Sequence, residues 1–279
     1  MIKFPAGISY NSERPPFKKE VGKSVESKPS TQVSAVVTII QLIEINEADS
    51  TFDLFFKIQL KWSDNNIKYS FLKNDPDLNK INSNWTKQIW RPNIKFYLVS
   101  ENKDEDFEDN LLVWRQSEPK VFQDPESEEK NVGLTTDEIY DGETNQLELK
   151  MERRKLFTCS FDEISNFPFG EQICQFTFFI EGSSNKLTNL SAERLIESHG
   201  KSVGEYRVRA WEMKESYFSA TDMKGITVSM RLYRNLQSVF MVTYLPTILM
   251  NIINQATNYI SSQNKVRFYI NFPDPDFEY

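Results

Sequence analysis

The chain has 279 residues, 39% of them hydrophobic, enough for one large core or for a domain with an appendage. Its net charge of -7 excludes nucleic acid as a partner, because phosphate binding needs a positive footprint. The single histidine, His199, sits in a Glu-Ser-His-Gly context that reads as a surface loop, which removes most triad, Cys-His and His-ligated zinc chemistry. Ser183-Ser-Asn-Lys186 and Ser63-Asp-Asn65 echo serine acyl-transferase motifs. They occur in the wrong order and without a K-T-G partner, so no enzyme and no cofactor is expected.

Residues 1–30 are polar and lack the apolar run of a signal peptide. Strand chemistry starts at Thr31. In Thr51–Trp62 the residues Phe52, Leu54, Phe56, Ile58, Leu60 and Trp62 share one parity, and Asp53, Lys57, Gln59 and Lys61 the other. A period of two over this length predicts a long strand with one buried face. The acidic runs Glu101–Asp109 and Glu126–Lys130 read as solvated loops; calcium ligation is the alternative, without EF-hand glycine spacing behind it. Cys174, Phe176, Phe178 and Ile180 repeat the alternation, as do Tyr206–Ala210 and Ile226–Leu232, with breaker-rich stretches between. The expected fold is all-β, an immunoglobulin-like antiparallel β-sandwich over 31–237.

From Asn235 to Asn264 there is no charged residue. Residues 238–260 therefore predict one C-terminal transmembrane α-helix, with a short polar tail over 261–279. Asn251, Asn254, Gln255, Thr257 and Asn258 call for neighbouring helices. A buried soluble helix is the alternative.

Cys159 and Cys174 are the only cysteines, with 14 residues between them. In a cytosolic chain they would stay reduced; in an exported domain they would close a loop worth about 3 kcal/mol. Sequons at Asn84-Trp-Thr86 and Asn189-Leu-Ser191 fit export. Inside the loop, Phe167-Pro168-Phe169 makes an apolar knuckle that needs a surface to press on.

This stretch resembles the signature loop of the Cys-loop pentameric ligand-gated ion channels, the neurotransmitter-gated family, in which two disulfide-bonded cysteines bracket a Phe-Pro-Phe turn. Trp62-Ser-Asp64 is similar to the family's W-x-D, Ile89-Trp-Arg-Pro-Asn93 to its W-x-P-D, and Tyr244-Leu-Pro246 to the start of its first membrane helix. The loop is one residue longer than usual, and Gly170 and Asn93 replace two aspartates. The resemblance implies an extracellular ligand-binding domain on the plasma membrane, assembled as a homo- or hetero-pentamer and held in the lipid bilayer by the first helix. Tyr279 ends the sequence before a pore helix, so the expectation is a truncated receptor part that does not conduct by itself. A soluble or decoy binding protein of the same fold is the alternative.

Carried over residue by residue, the resemblance assigns small-molecule binding to Tyr97, Phe179, Glu181, Tyr217 and Phe218, with Lys57 on the opposite subunit edge. Glu181 stands where a tryptophan is frequent and Lys57 where an aromatic is common, so a quaternary-ammonium cage is poorly supported. Three readings stay open: Glu181 holds a primary amine, Glu181 pairs with Lys57 across an interface, or both are solvated strand-end charges. The resemblance also assigns coupling between domain and membrane to Glu47, the Phe167-Pro168-Phe169 knuckle and Arg234, with Glu47 and Arg234 as an ion pair.

Overall fold

The computed structural model describes residues 2–4, 10–16, 30–97, 99–100, 105–107, 109–122, 137–161, 170–181, 187–197, 202–218 and 223–264. His199, the knuckle Phe167-Pro168-Phe169 and the acidic run Glu126–Lys130 lie outside these residues.

The alternating pattern of Thr51–Trp62 forms β3, and its Phe52, Leu54, Phe56, Ile58, Leu60 and Trp62 are all buried. Its neighbours are β2 (Thr31–Asn46) and β10 (Leu147–Thr158), both antiparallel to it. The turn between β2 and β3 runs from Glu47 to Ser50, with Ser50 at φ 53° and the Asn46 side chain accepting from Asp49 N. The edges of this sheet are β12 (Thr188–Glu197) on one side and the short strands β6 (Glu105–Asp106) and β7 (Asn110–Val113) on the other. β12 runs parallel to β2, so the sandwich is not wholly antiparallel as expected.

The second sheet has the order β13 (Ser202–Val203), β14 (Tyr206–Phe218), β15 (Met223–Arg234), β11 (Glu171–Ile180) and β5 (Ile94–Tyr97). Between the sheets lies an aromatic core. Phe157 from β10 stacks on Phe176 from β11 at 4.7 Å, and Phe56 from β3 meets Phe96 from β5 edge-on. The Cys159–Cys174 disulfide ties the end of β10 to β11 and so fastens one sheet to the other, with a Cα separation of 5.1 Å.

A smaller sheet joins β1 (Ile2–Lys3), β4 (Lys68–Ser70), β9 (Asp137–Asp141) and β8 (Lys120–Phe122). Parts of the polar N-terminal segment therefore pack into the fold. Ile2 is buried, and the Tyr10 hydroxyl donates to Asp64 at 2.7 Å and accepts from Trp90 N at 2.9 Å. One tyrosine thus links the W-x-D and W-x-P stretches, whose Trp62 and Trp90 rings meet edge-on at 5.8 Å.

After β15 the chain turns into α2 (Leu236–Val239), a π-helical turn (Phe240–Tyr244) and α3 (Leu245–Asn264). Among the described residues no helix is long and apolar enough to cross a membrane. The physical reason is the run of amides in α3, from Asn251 to Asn258, which dilutes an otherwise apolar surface. That surface is exposed, Met241, Ile248, Leu249, Ile252 and Ile253 included.

Candidate functional site

The outer face of the five-stranded sheet is set by the ladder. Phe176, Phe178 and Ile180 point into the core, so Thr177 and Phe179 face out. Tyr97 pairs with Thr177, and Thr177 with Thr227; Lys95 pairs with Phe179, Phe179 with Gly225 and Gly225 with Ser216. The Thr177 and Thr227 hydroxyls are 2.8 Å apart, and those of Thr227 and Ser216 also 2.8 Å. A chain of three hydroxyls therefore crosses three strands beside Phe179. Tyr97 lies on the edge strand, 52% exposed.

Glu181 follows β11 directly. Its backbone N donates to Asn93 O at 2.7 Å, its carboxylate accepts from Asn93 Nδ2 at 2.7 Å, and Lys95 Nζ lies 2.5 Å from it. The asparagine that stands in place of the expected W-x-P-D aspartate thus serves as a donor to Glu181. Four rungs separate Tyr97 from Glu181, about 14 Å along and across the ladder, with Phe179 midway. Tyr97, Phe179 and Glu181 are brought onto one face.

Tyr217 is placed differently. It pairs with Lys224 near the end of the β14–β15 hairpin, and alternation puts it on the other side of the strand from Ser216. Phe218 pairs with Met223 in the next rung. Lys57 lies on the outer face of the six-stranded sheet, 3.3 Å from Glu152, its partner across β3 and β10. Within the chain, then, Glu181 and Lys57 each have a different partner.

Further along that outer face, opposite Lys61, Glu148 is buried. It accepts from Trp114 Nε1 at 2.5 Å and Gln59 Nε2 at 3.2 Å, and Lys150 lies 3.7 Å away. Lys61 sits over the Trp114 ring. Among the described residues no cluster of His, Cys, Asp or Glu could hold a metal ion.

At the helix end of the sandwich, Arg234 Nη2 is 2.5 Å from Glu47 and Nη1 is 3.5 Å from Glu205. The Tyr206 hydroxyl donates to Glu47, and the Arg234 guanidinium lies over the Tyr206 ring at 5.0 Å. Burial, then the Glu47 hydrogen bond, push the Tyr206 hydroxyl well above the ordinary phenol range. The chain enters the helices from this cluster, since Asn235 N donates to Glu205 O at 2.6 Å.

Sequence reasoning did not single out Lys95, the three hydroxyls, Tyr206 or Glu205. Lys95 shares parity with Tyr97, and Glu205-Tyr206 opens a strand that pairs with Arg234, but those signals become legible only once the register is known.

Residues 8–132 match the family model described as neurotransmitter-gated ion-channel ligand binding domain. The matched stretch holds Trp62-Ser-Asp64, Trp90 and Tyr97; the cysteines, Glu181 and Arg234 follow it. No curated protein matches the chain.

Proposed function

We propose that the chain, whose residues 8–132 match the model of the neurotransmitter-gated ion-channel ligand binding domain, is the extracellular ligand-binding part of such a channel subunit. The ligand is a small molecule that docks on the outer face around Tyr97, Phe179 and Glu181. The β14–β15 hairpin, whose end carries Tyr217 and Phe218, borders this face, and a neighbouring subunit's copy of the Lys57 face completes the site in a pentamer. The observation that carries this reading is the outer face itself. An exposed tyrosine on an edge strand, a half-buried phenylalanine and a row of hydroxyls offer both ring faces and hydrogen bonds, the mix that small-ligand sites use.

The Lys95–Glu181 contact bears on the ligand class. An amine reaching Glu181 competes with Lys95 for the carboxylate, so the site holds a primary amine only by opening that pair. The helix after Arg234 contributes membrane attachment at the plasma membrane, its exposed apolar side chains facing lipid and its amides facing neighbouring helices. Coupling from domain to helix runs through Glu47, Arg234 and the Phe167-Pro168-Phe169 knuckle.

The test is ligand binding to the purified chain by calorimetry, with small primary amines and their neutral isosteres. Loss of binding in Tyr97→Ala and in Phe179→Ala supports the assignment of this face. Undiminished binding in both variants would move the site elsewhere. Light scattering in detergent and without it reads the pentamer and the need for a membrane.

A further inference from the structure

The two sequons differ sharply in their settings. Asn84 lies in α1 (Ser83–Thr86), a single helical turn on the surface. Its residue is exposed, and its side-chain amide makes no hydrogen bond to any described residue, while its backbone N is held by Asn82 Oδ1 at 3.2 Å. The neighbouring Trp85 packs inward against Phe4, with ring centroids 6.2 Å apart, which fixes the turn and leaves Asn84 on its outer side. Thr86 Oγ1 donates to Ser83 O at 2.7 Å.

Asn189 is half-buried in the edge strand β12. Its Nδ2 donates to Gln32 Oε1 on β2 at 2.7 Å, and its Oδ1 accepts from Lys224 Nζ on β15 at 2.7 Å. The first bond lies within one sheet; the second reaches the other. Asn189 therefore clips the two sheets together at their edge, and a substituent on Nδ2 would take the place of one of those contacts.

We infer that Asn84 is an N-glycosylation site and that Asn189 is a structural clip left unmodified. The step forms a bond from Asn84 Nδ2 to the anomeric carbon of an oligosaccharide. That carbon's bond to the pyrophosphate of a lipid carrier breaks, its electron pair leaves with the pyrophosphate, and the displaced amide proton passes to solvent. A glycan at Asn84 extends into water from a turn that needs no rearrangement. One at Asn189 would open the junction between β12, β2 and β15. The inference rests on the extracellular placement proposed above.

The experiment expresses the full chain behind a cleavable secretory signal in a eukaryotic cell. Mobility is compared before and after an amidase that removes N-glycans. The wild type, Asn189→Gln and Thr86→Ser should each show a shift of one glycan; Asn84→Gln and Thr86→Ala should show none. The oxidation state of Cys159 and Cys174 is read in the same samples. An unmodified wild type with the disulfide formed overturns this inference alone, and one with both thiols free overturns the extracellular reading with it. A shift that survives Asn84→Gln, or a second glycan lost in Asn189→Gln, also overturns it.

Discussion

Arg234 Nη2 lies 2.5 Å from Glu47 Oε2, joining the last strand of one sheet to the first hairpin of the other, 187 residues apart in sequence. The arginine side chain is only 16% exposed and its partner 39%, so the pair lies between surface and interior. Tyr206 holds the other Glu47 oxygen and stacks beneath the guanidinium, which restricts both side chains before they meet.

A double-mutant cycle with Glu47→Ala and Arg234→Ala, read by urea unfolding, should give a coupling of about 1 kcal/mol, discounted for the solvent access of Glu47. Arg234→Ala alone should cost more than Glu47→Ala, because it strands Glu205 as well. Additive single effects would mean that the two residues act separately.

The Lys95–Glu181 pair makes a prediction with opposite signs. Both side chains are more than a third exposed, so Glu181→Gln should change stability by no more than about 0.5 kcal/mol. Its effect on a primary-amine ligand should be about tenfold weaker binding, while Lys95→Met, which frees the carboxylate, should tighten it. Calorimetry that finds both substitutions weakening the amine alike would remove Glu181 as its partner.

Reduction of Cys159–Cys174 should lower stability by about 3 kcal/mol, the loop-closure value for a cross-link of this span. The comparison is urea unfolding of the oxidised chain against the Cys159→Ala/Cys174→Ala variant. A difference under about 1 kcal/mol would mean that the aromatic core, with Phe157 stacked on Phe176, already holds the two sheets in register without it.

Asp64 gives a pH dependence. It is fully buried, and burial pushes its carboxyl above the usual aspartate range despite hydrogen bonds from Tyr10 and Asn66 N. The folded state therefore keeps this proton when the unfolded state has already released it. Stability from this group falls as pH rises from the unfolded value of 3.8 to the raised folded one, then stays level. Urea midpoints against pH should show that decline in the wild type and lose it in Asp64→Asn. Tyr10→Phe removes a bond that stabilises the carboxylate and should carry the decline to higher pH. A variant Asp64→Asn with an unchanged profile would assign the dependence to other groups.

Gly142 admits no side chain. A Cβ there would meet the Asp64 carbonyl oxygen at 2.2 Å and that of Ile67 at 2.7 Å, both backbone atoms. The same residues are bonded through their backbones, with Asp64 N donating to Gly142 O and Gly142 N to Ile67 O. Gly142→Ala should cost more than about 2 kcal/mol, since the turn after Trp62 cannot give way without breaking these bonds. A loss below about 0.5 kcal/mol in urea would show that the turn can shift.

How much of this was legible in the sequence follows from the range of each interaction. Alternation along Thr51–Trp62 determined a strand with a buried face by itself, because side-chain direction in a strand is a local property. Two isolated cysteines around Phe-Pro-Phe, with Trp62-Ser-Asp64, Ile89-Trp-Arg-Pro-Asn93 and Tyr244-Leu-Pro246 in order along the chain, were enough to point to a family. Glu181, by contrast, is left by the sequence among three readings: a partner for an amine, a pair with Lys57 across an interface, or a solvated strand-end charge. Its partners Asn93 and Lys95 lie nearly ninety residues away and face it only through the β5–β11 register. Tyr217 looked like a neighbour of Tyr97, yet one residue of parity in a hairpin decides its side. The parallel pairing of β12, the Asn189 clip and the tie from Tyr10 to Asp64 and Trp90 are likewise contacts between segments whose local patterns are mutually silent. Periodicity sets which face of a strand is buried; only the packed sheets decide which charge, hydroxyl or ring stands opposite it.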